Sequence, residues 1–323
     1  MKSILPLKND LGFYEIRMES IGGLGANVSG KIISEAGVLE LDLNGASFSS
    51  YGSEKKGSPV KAFVRFCDVD TKVRVNSPVE YPHLLVIFHE TLLKNSAVTM
   101  GLTDESVVIV NTKKSPGEMR EIIGLHAGTI GCVDALEIAM KSKSRVNTAL
   151  LGSISKISGF LTPDSIKAAM DKAFGKKYAV AMPGNIKAFD LGYSELVIEE
   201  FKPDDRFREK PFIRPVPVLG YKNAPIGGLI LNPGNTVLKD NSASRQGYIP
   251  IFNKDSCTNC GECDMTCPDY CFIWEEDTMK SGKKTVTLQG INYQYCKGCL
   301  KCVEICAHDA LVEGVESEYF KRG

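Results

Sequence analysis

A chain of 323 residues has room for two ordinary domains, and its 43% hydrophobic and 24% charged residues exclude a largely disordered polymer. Its 39 basic residues balance its 39 acidic ones, so no bulk field selects nucleic acid or an anionic membrane as the partner. Met1 to Asp10 has no basic stretch followed by an apolar one, and nowhere do about 18 uninterrupted apolar residues occur, so a cytoplasmic protein without membrane contact is expected.

Phe13 to Met18 alternates apolar and polar residues as a short strand does, and runs into a glycine cluster at Gly22, Gly23 and Gly25. A helix is expected next, with Val28, Ile32, Ile33 and Ala36 on its apolar face and Gly37 at its end, followed by a strand over Val38 to Leu43. Further strands are expected at Val60 to Phe66, Leu84 to Phe88 and Val107 to Val110, with helices around Gly131 to Met140 and Pro163 to Phe174. Such alternation predicts an α/β domain, Rossmann-like with a mainly parallel sheet, over residues 1–201. Residues 202–250 hold seven of the fifteen prolines and read as an extended linker or arm lying over another surface. Residues 251–323, with 12 acidic and 8 basic side chains, form the remaining domain.

The strand, glycine cluster, helix and following Asp42 have the layout of a dinucleotide site, but Ser20-Ile21-Gly22-Gly23-Leu24-Gly25 does not give the order GxGxxG. The helix start could hold an anion through its unpaired N–H groups, while the favoured reading is that the glycines permit close strand-to-helix packing. The polar segment Tyr51 to Pro59 reads as an exposed loop in which Lys55 and Lys56 are solvated or meet a phosphate or acidic partner.

Nine of the eleven cysteines fall between Cys257 and Cys306. Residues 257–268 read CTNCGECDMTCP and residues 296–306 read CKGCLKCVEIC, each a CxxCxxCxxxC run. In a chain with no secretory segment, that spacing points to metal and not to disulfides. Three thiolates of such a run bind three irons of one cubane cluster, and the fourth cysteine reaches the other cluster. Cys257, Cys260, Cys263 and Cys306 are therefore expected to hold one [4Fe–4S] cluster, and Cys296, Cys299, Cys302 and Cys267 a second. Zinc prefers pairs of ligands separated by a longer loop and does not call for a doubled run of four. Pro268 follows the first run, whereas Ala307 stands after the second. Cys271 is expected to pack beside a cluster, and Cys67 and Cys132 to be core residues. His89, beside Glu90, receives no role, and no catalytic acid, base or nucleophile is identified.

Glu15-Ile16-Arg17, the glycine loop and SYGSEKKGSPVKAFVR from Ser50 to Arg65 resemble the gamma domain of the 2-oxoacid:ferredoxin oxidoreductases. That family shows EIR, a GxGGQG loop and a segment close to SFGPERRGAPVxAFVR. Asn147 to Gly152 and Asn185 to Tyr193 are also similar to the gamma pattern, and Ser244-Arg245 with Pro250 resembles the entry to the delta subunit's two-cluster domain. The resemblance thus covers nearly the whole chain as a gamma–delta fusion with an α+β dicluster ferredoxin domain. It implies a subunit that carries electrons to ferredoxin in a complex whose alpha and beta subunits bind thiamine diphosphate and Mg. No thiamine motif of the GDG and NN type is present in this chain.

Two departures bear on substrate. Ser20 stands where the family loop begins with glycine, and Leu24 replaces its glutamine. Because the gamma domain is associated with coenzyme A in relatives that use it, the changed loop and the fusion make the chain most similar to the delta subunit of oxalate oxidoreductases, which need no coenzyme A. A pyruvate or other 2-oxoacid oxidoreductase subunit using coenzyme A is the alternative within the family. Outside it stand a free-standing dicluster ferredoxin and a nicotinamide- or flavin-linked reductase using Gly22 to Asp42.

Overall fold

The computed structural model describes residues 3–51, 58–175, 179–214, 224–227, 239–278, 282 and 284–320. They fall into two compact units, one built from residues 3–51 and 59–213 and one that includes residues 239–320.

In the first unit, β1 (Tyr14–Ile21) leads through the glycine loop into α1 (Ala26–Glu35). The chain then continues in a wider helical turn over Ala36–Glu40 before β2 (Asn44–Tyr51), β3 (Pro59–Cys67) and β4 (Leu84–Ile87). After β5 (Val107–Asn111) come α2 (Pro116–Ile123), β6 (Gly128–Val133), α3 (Ala135–Ser142), α4 (Val146–Ser158), α5 (Pro163–Met170), α6 (Met182–Ser194) and β7 (Val197–Phe201). One seven-stranded sheet has the order β2-β3-β1-β4-β5-β6-β7. Its centre, β1, β4, β5 and β6, is parallel, while β2, β3 and β7 run antiparallel to their neighbours.

Each central strand is covered on both faces, which is why Leu84 to Ile87 is apolar throughout. Leu84 and Val86 join a core with Ile16, Met18 and residues of α1 and α3 to α6. Leu85 and Ile87 join a second core with Val108, Val110, Leu92 and the α2 residues Met119 and Ile123.

The strand expected at Val38 to Leu43 does not form. Val38 to Glu40 stays helical, Asp42 adopts a left-handed φ of 53°, and the strand begins at Asn44. A short apolar run can continue a helix as readily as start a strand. Gly37 does not stop the helix; it is buried against Phe66, whose ring a Cβ at 37 would strike. Val28 is exposed, so the buried helix face is Ala26, Ser29, Gly30, Ile32 and Ile33. Because β2 pairs with β3 and not with β1, the Gly22 to Asp42 stretch is not the βαβ unit of a dinucleotide site.

The alternation in β1 hides a second surprise: all eight of its residues are buried. An internal network meets most of its polar side-chain atoms, Arg17 Nε being buried without a hydrogen bond. Arg17 donates to the carbonyls of Val79, Glu80, Val98 and Met100, and Arg65 Nε bonds Glu15 Oε1 at 2.5 Å. Glu19 sits 2.9 Å from Lys61 Nζ and 3.3 Å from Arg17 Nε. Burial pushes the Glu19 carboxyl up from its usual range and the Arg17 guanidinium down, while the two neighbouring cations oppose the shift at Glu19.

The second unit contains β8 (Tyr248–Phe252), α7 (Glu262–Thr266), β9 (Phe272–Thr278), β10 (Lys284–Ile291), α8 (Lys301–Ile305), β11 (Leu311–Val315) and α9 (Glu316–Tyr319). β8 pairs antiparallel with β11, and β9 with β10. Its core is cysteine-rich: Cys263, Cys271, Cys296 and Cys302 pack with Leu288, Ile291 and Leu311.

Of the expected arm, residues 202–213 belong to the first unit, where the Lys210 carbonyl accepts from Gly101 N–H at 2.6 Å and Leu102 bridges to Lys210. Residues 215–223 and 228–238 lie outside the described residues, as does the central part of the Tyr51 to Pro59 loop with Lys55 and Lys56.

Candidate metal centres

The two cysteine runs fold alike. In the first, Asn259, Gly261 and Tyr270 have positive φ; in the second, the residues 39 positions later, Gly298, Leu300 and Asp309, do the same. Gly261 and Leu300 start the short helices α7 and α8 from the left-handed region. The turn lets the chain double back between the first and third cysteines, so that thiols three apart face a common space. Backbone N–H groups point at the first sulfur of each run, Asn259 N to Cys257 Sγ and Gly298 N to Cys296 Sγ, both at 3.4 Å. Ala307, in place of the proline after the second run, leaves this geometry intact, since Asp309 keeps the conformation of Tyr270.

Cys257, Cys260, Cys263 and Cys306 line one cavity, with Phe252, Trp274, Leu288 and Leu311 as apolar walls and Glu262 and His308 beside them. It encloses about 360 Å³ of atom-free space, part of it open to solvent. Cys267, Cys296, Cys299 and Cys302 line another of about 340 Å³, with Pro250, Phe272, Ile291, Cys271, Asp269, Lys297 and Lys301. The last cysteine of each run thus stands with the first three of the other. In both cavities one thiol is exposed, Cys260 and Cys299 respectively.

The donor set fits iron–sulfur cubes. Among the described residues no group of three or more Cys, His, Asp or Glu side chains is arranged to hold a single metal ion. The thiols border a space instead, in fours, with sulfur as the donor. Burial raises the Cys263 thiol to about 11 and the Cys302 thiol to about 12, so a bare thiolate is unfavourable at either position and a thiolate there calls for a cationic centre. The indole N–H of Trp274, on the wall of the first cavity, is buried without a hydrogen-bond partner.

Cys271 is the fifth thiol of the second cavity and is buried. Its closeness to Cys267 and Cys296 draws Cys267 down to about 6 and Cys296 to about 7, while its own thiol is pushed far up. Packing beside the ligand positions is where the sequence placed it. Arg245 is the residue that sequence reasoning underused. Its Nε donates to the Cys296 carbonyl at 2.8 Å, a second nitrogen reaches the Tyr293 carbonyl, and the third meets Glu316 at 2.7 Å. The Ser244-Arg245 pair of the family pattern thereby ties the domain's entry to its second cysteine run.

The remaining candidates stand apart from the metal centres. Cys67 is buried and donates to the Thr71 carbonyl; burial raises its thiol and lifts that of Cys132 to about 12, as inert core thiols show. His89 caps a short helical turn and contacts Thr91. The glycine loop meets another segment of the family pattern: a Cβ at Gly25, whose φ is 89°, would collide with Asn147, and the Asn147 side-chain oxygen is buried without a partner. Leu24 packs against the cores on both sheet faces and lines a depression with Met140, Lys143 and Arg145. No described helix is long and apolar enough to cross a membrane.

The sequence matches the family described as pyruvate ferredoxin/flavodoxin oxidoreductase over residues 15–195 and the 4Fe-4S dicluster domain over residues 249–307. The subunit PorC of pyruvate synthase from Thermotoga maritima is 34% identical over 191 residues, which are 58% of this chain and 97% of that protein. The common subunit gamma of the pyruvate/ketoisovalerate oxidoreductases of Pyrococcus furiosus is 36% identical over 163 residues, 50% of this chain and 86% of that one. The crystal structure of the Thermotoga maritima pyruvate oxidoreductase subunit superposes with a TM-score of 0.51 at 30% identity, covering 58% of this chain and 99% of the other. The chain therefore belongs to the pyruvate ferredoxin/flavodoxin oxidoreductase family, as a gamma-type α/β domain joined in one polypeptide to a 4Fe-4S dicluster domain.

Proposed function

We propose that the chain is the electron-transfer subunit of a thiamine diphosphate-dependent 2-oxoacid or oxalate oxidoreductase, and that it passes electrons to ferredoxin. The observation that carries this reading is the division of eight cysteines into two fours around neighbouring cavities. In it, Cys257, Cys260, Cys263 and Cys306 hold one [4Fe–4S] cluster and Cys267, Cys296, Cys299 and Cys302 the other. Bound there, each cluster supplies a one-electron carrier. The chain's own residues fix the sulfurs, wall them with Trp274, Phe252, Phe272 and Leu288, and direct backbone N–H groups at Cys257 and Cys296. Thiamine diphosphate and Mg belong to partner alpha and beta subunits, consistent with relatives whose names make them subunits of pyruvate oxidoreductases.

Oxalate is the substrate we favour. Leu24 supports it: where the family loop has an amide side chain, this chain has an apolar one packed into the sheet's cores, and the loop loses a hydrogen-bonding group for an acceptor thiol's carrier. A pyruvate-type reaction using coenzyme A is the second reading, supported by the names of the relatives. The complex should be purified anaerobically through this chain and assayed for ferredoxin reduction. Co-purifying thiamine-bearing chains and reduction driven by oxalate alone are expected. Reduction driven only by pyruvate with coenzyme A would replace the substrate, and a chain that purifies alone without thiamine diphosphate would replace the function.

A further inference from the structure

The two cavities differ in the charged side chains that line them. Lys297 lines the second with its side chain 6% exposed, its Nζ 3.4 Å from Asp269 Oδ2. The same carboxylate is already bonded by Lys239 Nζ at 3.2 Å and by Asn241 Nδ2 at 3.3 Å. Two ammonium groups thus share one buried carboxylate beside the thiols, and Lys301 adds a further cation at the rim. The described lining of the first cavity contains no lysine or arginine, and the acidic side chain there is Glu262.

Adding an electron to an anionic cluster is easier beside a buried cation and harder beside a carboxylate, and low dielectric strengthens both effects. Neutral donors do not decide between the sites. Each has a backbone N–H on its first sulfur, and the unpaired Trp274 N–H on the wall of one has a counterpart in the buried Cys271 thiol on the wall of the other. Charge is what differs.

We propose that Lys297, with Lys239 and Lys301, makes the centre held by Cys267, Cys296, Cys299 and Cys302 the more readily reduced of the two, so that a single electron on this domain resides there. This rests on the cluster reading above. The transfer is of one electron between two like centres, one oxidised as the other is reduced, and Lys297 acts as a positioning charge without binding either.

The test is a redox titration of the whole chain, reconstituted anaerobically and followed by electron paramagnetic resonance. Two potentials are expected, separated by at least a tenfold ratio in reduction equilibrium, about 59 mV for one electron. Lys297→Gln should lower the higher potential by most of that separation, Lys297→Arg should restore it, and Glu262→Gln, at an exposed position, should raise the lower one. Lys297→Gln acting on the lower potential, or on neither, would overturn the proposal; so would Glu262→Gln raising the higher one, which keeps the test open if Lys297→Gln assembles poorly. A wild-type chain with a single centre would remove the cluster reading itself, whereas two centres answering in reverse order would remove only this inference.

Discussion

Glu15 and Arg65 are bonded Oε1 to Nε at 2.5 Å across the antiparallel register of β1 and β3, with side chains 9% and 3% exposed. Both belong to segments that mark the family, EIR and AFVR, so these motifs here are parts of a buried charge ladder and not reacting groups. Arg65 also donates to the carbonyl of Val75. Arg65→Met would leave Glu15 buried without its cation, and the expected loss is about 3–5 kcal/mol of domain stability, read by urea unfolding. The double variant Glu15→Gln with Arg65→Met should lose less than the two single losses combined, because the stranded charge is gone.

Helices α4 and α6 approach through glycines. A methyl group at Gly192 would collide with the Ala149 carbonyl oxygen, and one at Gly152 with that of Phe189. Gly192→Ala must push the helices apart or bend them, so it should lower stability by about 1–3 kcal/mol even though alanine is the better helix former. Thermal unfolding would show it as a lower midpoint; an unchanged or higher midpoint would mean that the contact is looser than described.

His83 stacks on Tyr14 with centroids 5.0 Å apart and accepts a hydrogen bond from Glu15 N–H at its Nδ1. Burial holds its titration below the usual histidine range, against the pull of Glu15. The folded state therefore binds this proton less readily than the unfolded state. Stability should be full above about pH 6.5 and should decline as pH falls below that value, toward the depressed folded pKa. His126 shifts the other way, raised by its hydrogen bond to Asp104 at 2.8 Å. Proton-detected titration of the two rings should give His83 below and His126 above the ordinary value; the reverse order would contradict the geometry.

The cysteine arrangement was legible because iron–sulfur ligation fixes ligand spacing within a few residues, a local constraint that sequence displays directly. The parallel strands β4 and β5 were legible as compact apolar runs. What escaped was set by tertiary context. β2 is small and polar, Asn-Gly-Ala-Ser-Phe-Ser-Ser-Tyr, and becomes a strand because β3 pairs with it. In α4, Val146, Asn147, Thr148 and Ala149 are all buried, so no amphipathic stripe announces the helix. Glu15, Arg17 and Glu19 look like a solvent face until their partners, some forty to eighty residues away, are known. Arg245 had only its neighbours in sequence to suggest what it binds.

The exchange of the last cysteine between runs is separately testable. Cys306→Ser should perturb the centre of Cys257, Cys260 and Cys263, although Cys306 lies four residues after Cys302. Cys267→Ser should perturb the centre of the second run in the same way. Paramagnetic spectra of the two variants should differ, each sparing one signal. If Cys306→Ser altered the same signal as Cys299→Ser and left that of Cys260→Ser untouched, ligation would be confined within each run.

The most direct test of two neighbouring clusters is metal and spectral analysis of the whole chain, prepared and reconstituted without oxygen. About eight irons and eight sulfides per polypeptide, with two interacting paramagnetic centres on full reduction, are the predicted result. Zinc in stoichiometric amount, or about four irons with a single isolated centre, would contradict the account.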